Sequence, residues 1–387
     1  MITGSLIRAL DFLHNQVELI DKYGYNPETH VVATYDKYIL EMHRITGPKN
    51  NSNPKGKPTV FLMHGLLLSS NDWIIAGPRK AFGYILAEAG YDVWMGNARG
   101  TFYSRKHLNS SISKKSYWSF SWHEIGTRDL PAMIDYILEK TGHKKIFYVG
   151  HSQGSTSFFV MASELPKYNE KIISMNALAP IAFCKNLKSP LARILDLASN
   201  EIEVLTKLIG IYEFPPTNLF LVKIISKVCD ETSFIQPLCV NLLFILCGFS
   251  PSQMNLTWLP IELAHLPAGA SLKQFAHYAQ LIKSNKFRKF DYGLTGNLKK
   301  YGKLFPPDYN LSKITTRVAL HYSDNDYFAA TSDVARLYRQ LRNPIGKIRV
   351  PDHTFNHVDF MWGIDANTLI YEKIMRIMSR YQSEAIN

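Results

Sequence analysis

The chain has 387 residues, and its composition, with 46% hydrophobic and 20% charged residues, is that of an ordinary globular protein. The formal charge is +12, from 44 lysine and arginine residues against 32 aspartate and glutamate residues. The basic residues occur in short, scattered pairs such as Lys144-Lys145 and Lys299-Lys300. This distribution excludes the basic blocks of a nucleic-acid-binding arm, and we expect no nucleic-acid partner.

The N-terminal residues and one internal apolar stretch bear on membrane contact. Residues 1–15 are rich in apolar side chains, but Arg8 and Asp11 interrupt the run, so no clear signal peptide is visible. The pattern predicts either an amphipathic helix or a chain whose leader is missing. The most apolar stretch, residues 238–249, is about a dozen residues long and falls short of the ~20 that span a bilayer. No transmembrane span is predicted, and this stretch indicates a buried or interfacial helix.

Strands and helices then alternate along the chain. The alternation predicts a mostly parallel sheet with helices on both faces. Short apolar runs typical of buried strands occupy residues 58–63, 91–95 and 146–149. Helical patterns occupy residues 81–89, 130–138 and 152–165.

This alternation stops near residue 184 and resumes after residue 308. Between them, prolines divide the sequence into short helical pieces, with no convincing buried strand. Strand and helix signals return at residues 317–321, 332–341, 347–350 and 368–381. We therefore predict an α/β core formed by residues 1–183 and 309–387, interrupted by a helical insertion at residues 184–308.

A Gly-x-Ser-x-Gly motif, Gly150-His151-Ser152-Gln153-Gly154, lies between a predicted buried strand and a helix. This context is that of the nucleophile elbow of α/β-hydrolases, where the serine occupies a sharp turn that only small neighbours allow. Ser152 is therefore the predicted nucleophile, at the positive end of a helix dipole. A structural serine in a tight turn is the alternative, and His151 is predicted to pack away from Ser152.

A serine hydroxyl needs a base and an orienting acid, which in this fold follow it in the order Ser, Asp or Glu, His. After the strand at residues 317–321, Asp324 and Asp326 compete for the role of the acid, and spacing alone does not choose between them. After the last strand, the position of His357 ahead of the final helix favours it as the base, with His353 as the alternative.

An oxyanion hole requires two backbone N–H donors. One is predicted at Gln153, directly after the nucleophile, and the other in the loop after residues 58–63. Gly65 permits close approach of the backbone in that loop, so Leu66 is predicted to supply the second donor.

The ordered motifs resemble those of the acid lipase family, which includes lysosomal acid lipase, gastric and lingual lipases and insect relatives. The resemblance covers nearly the whole chain. It is carried by His64-Gly65-Leu66-Leu67, Gly96-Asn97-Ala98-Arg99-Gly100, the motif around Ser152, Pro306-Pro307-Asp308-Tyr309-Asn310 and Asn356-His357-Val358-Asp359-Phe360.

The resemblance implies roles that spacing left open. It implies that Asp326, in Ser323-Asp324-Asn325-Asp326, is the acid and that His357 is the base. It also implies a disulfide between Cys229 and Cys239, a free thiol at Cys247, and a secreted or lysosomal location. Residues 184–308 would then be a cap and lid. The apolar residues at 238–246 are expected either to face lipid or to form the core of the cap.

The expected activity is hydrolysis of neutral lipid esters, triacylglycerols or sterol esters, through an acyl-enzyme at Ser152. No metal or organic cofactor is expected, and the expected partners are the lipid ester and a lipid surface contacted peripherally. An esterase for smaller or retinyl-type esters and a non-catalytic lipid-binding protein are the alternatives. Triplets that permit N-glycosylation occur at Asn50, Asn109, Asn255 and Asn310.

Overall fold

The computed structural model describes residues 16–190, 210–215 and 236–385. A long central sheet forms the middle layer of the described chain, and its core strands are short apolar segments such as the fully buried Thr-Val-Phe-Leu-Met of the third strand. The strands, in chain order, are β1 (Tyr25–Ala33), β2 (Tyr38–Pro48), β3 (Thr59–Met63), β4 (Asp92–Gly96), β5 (Lys106–His107), β6 (Ile146–His151), β7 (Ile172–Leu178), β8 (Glu213–Phe214), β9 (Ala270–Ser271), β10 (Arg317–Tyr322) and β11 (Pro344–Arg349).

The order of the main sheet is β1-β2-β4-β3-β6-β7-β10-β11, and β5 pairs with β2. Neighbours from β4 to β11 are parallel, whereas β2 pairs antiparallel with both β1 and β4. The carboxyl ends of the parallel strands therefore meet at one edge of the sheet, where sites of open α/β sheets form. The predicted fold class is confirmed.

Helices cover the sheet, and their patterns of burial explain their positions. The helix of residues 130–141 buries Leu130, Met133, Ile134 and Ile137 on one face and ends at Gly142, which takes the left-handed conformation with φ 73°. The helices are α1 (Gln16–Lys22), α2 (Phe82–Glu88), α3 (Lys114–Tyr117), α4 (Trp122–Glu124), α5 (Leu130–Thr141), α6 (Gln153–Glu164), α7 (Gln236–Cys247), α8 (Leu259–Ala264), α9 (Leu272–Ser284), α10 (Gly293–Tyr301), α11 (Thr331–Gln340), α12 (Asp359–Trp362) and α13 (Glu372–Ser379).

Four strands of the sheet, β1, β2, β5 and β7, were not predicted from the sequence. β1 and β2 form an antiparallel pair at one edge, where the chain before residue 58 gave no clear strand pattern. β7 lies in the centre, but its buried Ser174 and Asn176 interrupt the apolar run that would identify it. The Asn176 Oδ1 atom accepts a hydrogen bond from Nε2 of His321 on the adjacent β10, 3.1 Å away, a contact that only the folded sheet supplies.

The segment between β7 and β10, called the insertion below, contains helices α7 to α10 in its described part. It also contains the two-residue strands β8 and β9, which pair antiparallel and which the sequence did not reveal. Phe244, Met254, Leu259 and Leu263 form a small apolar cluster of their own inside the insertion. The predicted helix at residues 1–15 lies outside the described residues.

None of the helices in the described ranges has the length and apolar character required to span a bilayer. Side chains at three of the four glycosylation triplets are exposed, namely Asn50, Asn109 and Asn310, and Asn255 is half-buried. Glycosylation of these residues stays a prediction.

Candidate active site

Ser152 occupies the turn between β6 and α6, at the carboxyl edge of the sheet. Its backbone angles, φ 50° and ψ −114°, lie in a region that residues with a side chain rarely adopt. The Ser152 N–H donates to the carbonyl oxygen of Leu178 at the end of β7, 2.9 Å away. The sheet therefore holds the strained turn in place and directs the hydroxyl out of it.

The glycines of the motif are required by close backbone contacts. A Cβ atom on Gly150 would lie 2.8 Å from the carbonyl carbon of Gly154. A Cβ atom on Gly154 would overlap the carbonyl oxygen of Met63, at the end of β3. Both contacts are with backbone atoms that cannot move aside, so the turn admits only glycine at these two positions.

The hydroxyl of Ser152, the imidazole of His357 and the carboxylate of Asp326 form a continuous chain of hydrogen bonds. The Ser152 Oγ and His357 Nε2 atoms are 2.9 Å apart. On the other side of the ring, His357 Nδ1 lies 2.9 Å from both carboxylate oxygens of Asp326. With Nδ1 protonated toward the carboxylate, Nε2 is free to accept the proton of the serine.

Asp326 is fixed for this contact by the backbone that follows β10. Its Oδ1 atom accepts hydrogen bonds from the N–H groups of Phe328 and Ala329, both at 2.8 Å. The carboxylate is completely buried, and the Phe328 ring packs on the His357 ring with centroids 4.9 Å apart. Asp326 and His357 are therefore held by a loop and a ring that leave little freedom.

The two alternatives from the sequence lie at the surface instead. Asp324 forms an ion pair with Arg349, with Oδ2 and Nη1 2.8 Å apart, and also contacts His353 at 3.3 Å. The side chain of His353 is 70% exposed. These two residues therefore pair with each other and with Arg349, and the structure does not bring them to Ser152.

His151 is buried beside His357 and lines the same cavity as Ser152. Its Nε2 atom donates to the backbone carbonyl oxygen of His357, 3.0 Å away. Burial, followed by the neighbouring His357, lowers the pKa of His151 to about 3. His151 therefore stays neutral and does not add a positive charge beside the imidazole of His357.

The loop after β3 runs against the elbow. A Cβ atom on Gly65 would lie 3.1 Å from Cβ of Ser152, so this backbone lies directly against Ser152. The His64 Nδ1 atom donates to the Gly65 carbonyl oxygen at 2.7 Å, while His64 Nε2 accepts from the Ala98 N–H at 3.1 Å. Because C=O and N–H point in opposite directions across a trans peptide, this bond turns the N–H of Leu66 away from His64.

The sequence reasoning did not assign His64 any role. Burial lowers its pKa to about 4, so it stays neutral and keeps one donor and one acceptor nitrogen. On the other side of the elbow, Gln153 is the first residue of α6, whose initial N–H groups have no partner within the helix. Its side chain turns away and donates to Oε1 of Gln274 at 2.7 Å.

A cavity of about 220 Å³ leads to Ser152 and His357. Gly65 and Leu66 line it at the elbow, and α7 and α9 of the insertion close it from above. Along α9, Phe275, Tyr278 and Ile282 project into it at helical spacing. Its remaining apolar walls come from Leu68, Ile181, Leu187, Leu246 and Phe328. The site is thus suited to an apolar group and to the exclusion of water.

The apolar helix α7 has both buried and exposed side chains. Phe244 is buried in the cluster inside the insertion, and Leu246 lines the cavity. Leu242 and Ile245, by contrast, are 57% and 53% exposed, and Phe249 just beyond the helix is 59% exposed. One face of α7 therefore packs in the apolar cluster of the insertion and another is open to the surroundings.

The cysteines divide into free and bonded residues. Cys184 and Cys247 are free and buried, and burial raises the pKa of each thiol far above its ordinary value, so both stay protonated. Cys239 is disulfide-bonded. Its predicted partner, Cys229, lies outside the described residues. The described residues include no group of three or more potential metal ligands.

Three buried carboxyl groups lie near the loop that carries His357. Asp72 accepts from the Ser69 N–H at 2.8 Å and from Trp362 Nε1 at 3.3 Å, and Asp359 accepts from the Asn356 N–H at 2.7 Å. Burial raises the pKa of Asp72 and Asp359 to about 7. Burial and the charges of those two groups raise the pKa of Glu262 well above its ordinary value. The folded protein therefore retains protons on these groups in mildly acidic solution.

The Asp72→Asn variant is expected to gain stability relative to the wild type as the pH rises from about 4 to 7. In the wild type, folded Asp72 keeps its proton up to about pH 7, whereas the unfolded chain loses it near 3.8. The stability contributed by Asp72 is thus present below the unfolded pKa and lost as the pH rises through the folded pKa. The difference between variant and wild type should change by roughly 1–4 kcal/mol.

Denaturant unfolding of both proteins across this pH range measures the difference. Buried histidines such as His64 and His151, whose pKa values are lowered, make the protein more stable as the pH rises. Because this contribution is the same in both proteins, it cancels in the difference between variant and wild type. The exposed Asp21→Asn variant serves as the control for the loss of one carboxylate. Equal pH dependence of the two variants would contradict the assignment.

Comparisons with known proteins agree with this fold. Residues 16–77 match the family described as a partial alpha/beta-hydrolase lipase region, and residues 58–201 match the alpha/beta hydrolase fold family. A solved structure from Sulfolobus solfataricus superimposes with a TM-score of 0.57 at 13% identity, covering 92% of this chain and 95% of that chain. This structural likeness concerns the fold alone.

Curated relatives match almost the whole chain. Lipase 3 of Drosophila melanogaster is 42% identical, covering 94% of this chain and 93% of that protein. The lysosomal acid lipase/cholesteryl ester hydrolase of Homo sapiens is 39% identical, covering 95% and 91%. The gastric triacylglycerol lipase of Bos taurus is 39% identical, covering 97% and 94%.

The fold and these relatives define the protein as a carboxylic ester hydrolase of the α/β-hydrolase class. The relatives are lipases and extend over nearly the full length of the chain. The chain belongs to the acid lipase family, and the resemblance drawn from its motifs is confirmed.

Proposed function

We propose that the protein hydrolyses neutral lipid esters, triacylglycerols or sterol esters, with Ser152, His357 and Asp326 as its catalytic triad. The observation that carries the proposal is the unbroken chain of 2.9 Å contacts from Ser152 Oγ through His357 to Asp326, at the base of an apolar cavity. The names of the relatives, acid lipase/cholesteryl ester hydrolase and triacylglycerol lipase, support the substrate class.

The reaction proceeds by acyl transfer to Ser152 and then to water. His357 Nε2 takes the hydroxyl proton as Ser152 Oγ bonds to the ester carbonyl carbon, and the resulting imidazolium faces the carboxylate of Asp326. The same proton passes to the alcohol as the ester C–O bond breaks. His357 then takes a proton from water, which attacks the acyl-enzyme, and the returned proton restores the Ser152 hydroxyl as the fatty acid leaves.

Backbone N–H groups of Leu66 and Gln153 stabilise the oxyanion in this scheme. The position of Gly65 over Ser152 and the bond from His64 to the Gly65 carbonyl support Leu66 as a donor. The start of α6 at Gln153 supports the other donor, since a helix N-terminus favours negative charge. Each such donor typically contributes about 3 kcal/mol to the stabilisation of the transition state.

The protein acts, in this proposal, in the secretory pathway, outside the cell or in lysosomes. The disulfide bond of Cys239 supports an oxidising compartment, because structural disulfides persist there and are rare in the cytosol. Relatives named lysosomal and gastric lipases support the same location.

Substrate profiling of the purified full-length protein tests the proposal. Emulsified trioleoylglycerol and cholesteryl oleate are compared with soluble p-nitrophenyl butyrate and with a retinyl ester, with Ser152→Ala as the inactive control. We expect hydrolysis of both long-chain neutral esters. Activity confined to the short soluble ester, or a strong preference for the retinyl ester, would instead identify an esterase of another specificity.

The exposed face of α7 is proposed to contact the lipid surface. The combined Leu242→Asp and Ile245→Asp variant is expected to lower activity on emulsified lipid about tenfold or more, because two charges replace apolar side chains that would leave water at the lipid surface. Activity on the soluble ester should stay within about twofold. The matched control is Leu294→Asp with Leu298→Asp on α10, where the leucines are equally exposed. Equal losses on emulsion in both variants would refute a specific role for α7.

A further inference from the structure

The C-terminal turn of helix α7, residues 247–249, lies between the two loops that carry Asp326 and His357. A helix leaves its last carbonyl groups without partners inside the helix. Here the carbonyl oxygen of Cys247 accepts from the N–H of Tyr327 at 3.3 Å and from the N–H of His357 itself at 3.4 Å. One backbone atom of the insertion thus contacts both loops.

The next two carbonyl groups are bonded by side-chain amides of the same loops. Nδ2 of Asn356, the residue before His357, donates to the Gly248 carbonyl oxygen at 2.8 Å. Nδ2 of Asn325, the residue before Asp326, donates to the Phe249 carbonyl oxygen at 2.9 Å and to the Thr354 carbonyl oxygen at 2.6 Å. Three consecutive carbonyls of the insertion are therefore bonded to residues adjacent to Asp326 or His357, or to His357 itself.

Gly248 shows how closely these parts fit. Its φ of 118° lies in the region that favours glycine. A Cβ atom there would overlap the carbonyl oxygen of Asn325 and lie 3.1 Å from Cβ of Asn356. A side chain at this position would push apart the two residues that precede Asp326 and His357.

We propose that the C-terminal turn of α7 is a positioning element of the triad, and that Asn325 and Asn356 are positioning residues that transmit the placement of the cap to Asp326 and His357. The inference rests on the proposed triad and extends it to the insertion. The negative end of the α7 dipole also faces the His357 loop, which favours the imidazolium formed when His357 accepts the serine proton. In this proposal the rate of catalysis depends on the position of the C-terminal turn of α7 as well as on the apolar cavity that the insertion covers.

Two variants that remove one amide donor each test this proposal. Asn356→Asp keeps the Oδ1 acceptor that bonds the N–H groups of Val358 and Asp359, but removes the donor to Gly248. Asn325→Leu keeps the size of the side chain and removes its donor.

The control is Asn285→Gly, which removes another amide that joins the insertion to the core. Its Oδ1 atom accepts from Arg336 at 2.7 Å, away from the loops of Asp326 and His357.

Steady-state kinetics on soluble p-nitrophenyl butyrate separate positioning from substrate binding and from lipid contact. We expect kcat to fall about 10- to 100-fold in Asn356→Asp and Asn325→Leu, since small displacements of catalytic groups cost rates of this order. KM should stay close to that of the wild type in both variants, and Asn285→Gly should keep kcat within about twofold. The thermal midpoint is measured for each variant, because the carboxyl group of Asn356→Asp is buried beside Asp359 and lowers stability.

Two results would overturn the inference: kcat near the wild-type value in both folded variants, or a raised KM with unchanged kcat. If one variant unfolds, the other is tested by labelling Ser152 in its folded fraction with a soluble organophosphate. We expect slower labelling than in the wild type, and an unchanged rate would overturn the inference. Failure of the triad proposal is distinguishable, because Ser152→Ala would then retain activity.

Discussion

Replacing Ser152 by alanine is expected to lower kcat/KM on every ester by a factor of about 10⁴ or more. The Oγ atom forms the covalent bond to the acyl group, and neither the oxyanion donors nor the apolar cavity can replace it. The fold should be unchanged, because the Ser152 N–H bond to Leu178 involves the backbone only. Ester hydrolysis and thermal unfolding of the purified variant measure both expectations.

Ser157→Ala is the matched control for this change. Ser157 lies on α6, one helical turn after Gln153, and is completely buried. Its hydroxyl forms no hydrogen bond with any part of the chain that the structure describes. Activity should therefore stay within about twofold of the wild type. An equally large loss in both variants would point to damage of α6 rather than to removal of a nucleophile.

Replacing Asp326 by asparagine is expected to lower kcat about 10³- to 10⁴-fold with little change in KM. The amide of asparagine can donate to Nδ1 of His357, which stabilises the tautomer that carries its proton on Nε2. With Nε2 protonated, His357 cannot accept the proton of the Ser152 hydroxyl. The N–H groups of Phe328 and Ala329 can still bond the amide oxygen, so the loop should keep its place. Stopped-flow or steady-state kinetics on a soluble ester, away from any lipid surface, measure this loss.

Asp324→Asn provides the control two residues away. Asp324 pairs with Arg349 and His353 at the surface, where an ion pair contributes little. Its replacement should leave kcat within about twofold of the wild type. The reverse outcome, with Asp324→Asn inactive and Asp326→Asn active, would reassign the acid and contradict the geometry on which the proposed triad depends.

The elbow could be predicted because its requirements are local. A buried strand, a sharp turn and a helix follow one another within about twenty residues, and the two glycines are needed for backbone contacts of that turn. The order of later strands then indicated where an acid and a base should lie. The choice of Asp326 over Asp324 came from resemblance to relatives, because two aspartates in one loop have the same local pattern.

Other parts of the site could not be predicted, because their chemistry arises only between distant segments. β7 was missed since the polar Ser174 and Asn176 interrupt its apolar run, and the partner of Asn176, His321, comes from the distant β10. His64 showed no role until its ring was found between Gly65 and Ala98. The apolar sequence of α7 likewise did not distinguish the exposed Leu242 from the buried Phe244, because both are equally apolar.

By itself, the sequence determined the fold class, the elbow with Ser152 and the family, because these depend on local periodicity and on short motifs. Spacing left Asp324 and Asp326 open, and only resemblance chose between them. Only the tertiary structure shows the contacts themselves: His357 contacts Ser152 from 205 positions away, and Asp326 contacts His357 from 31 positions away. It also decided that the end of α7 joins those two loops. Such contacts depend on how strands and loops are brought together at one edge of the sheet, which no local pattern of residues encodes.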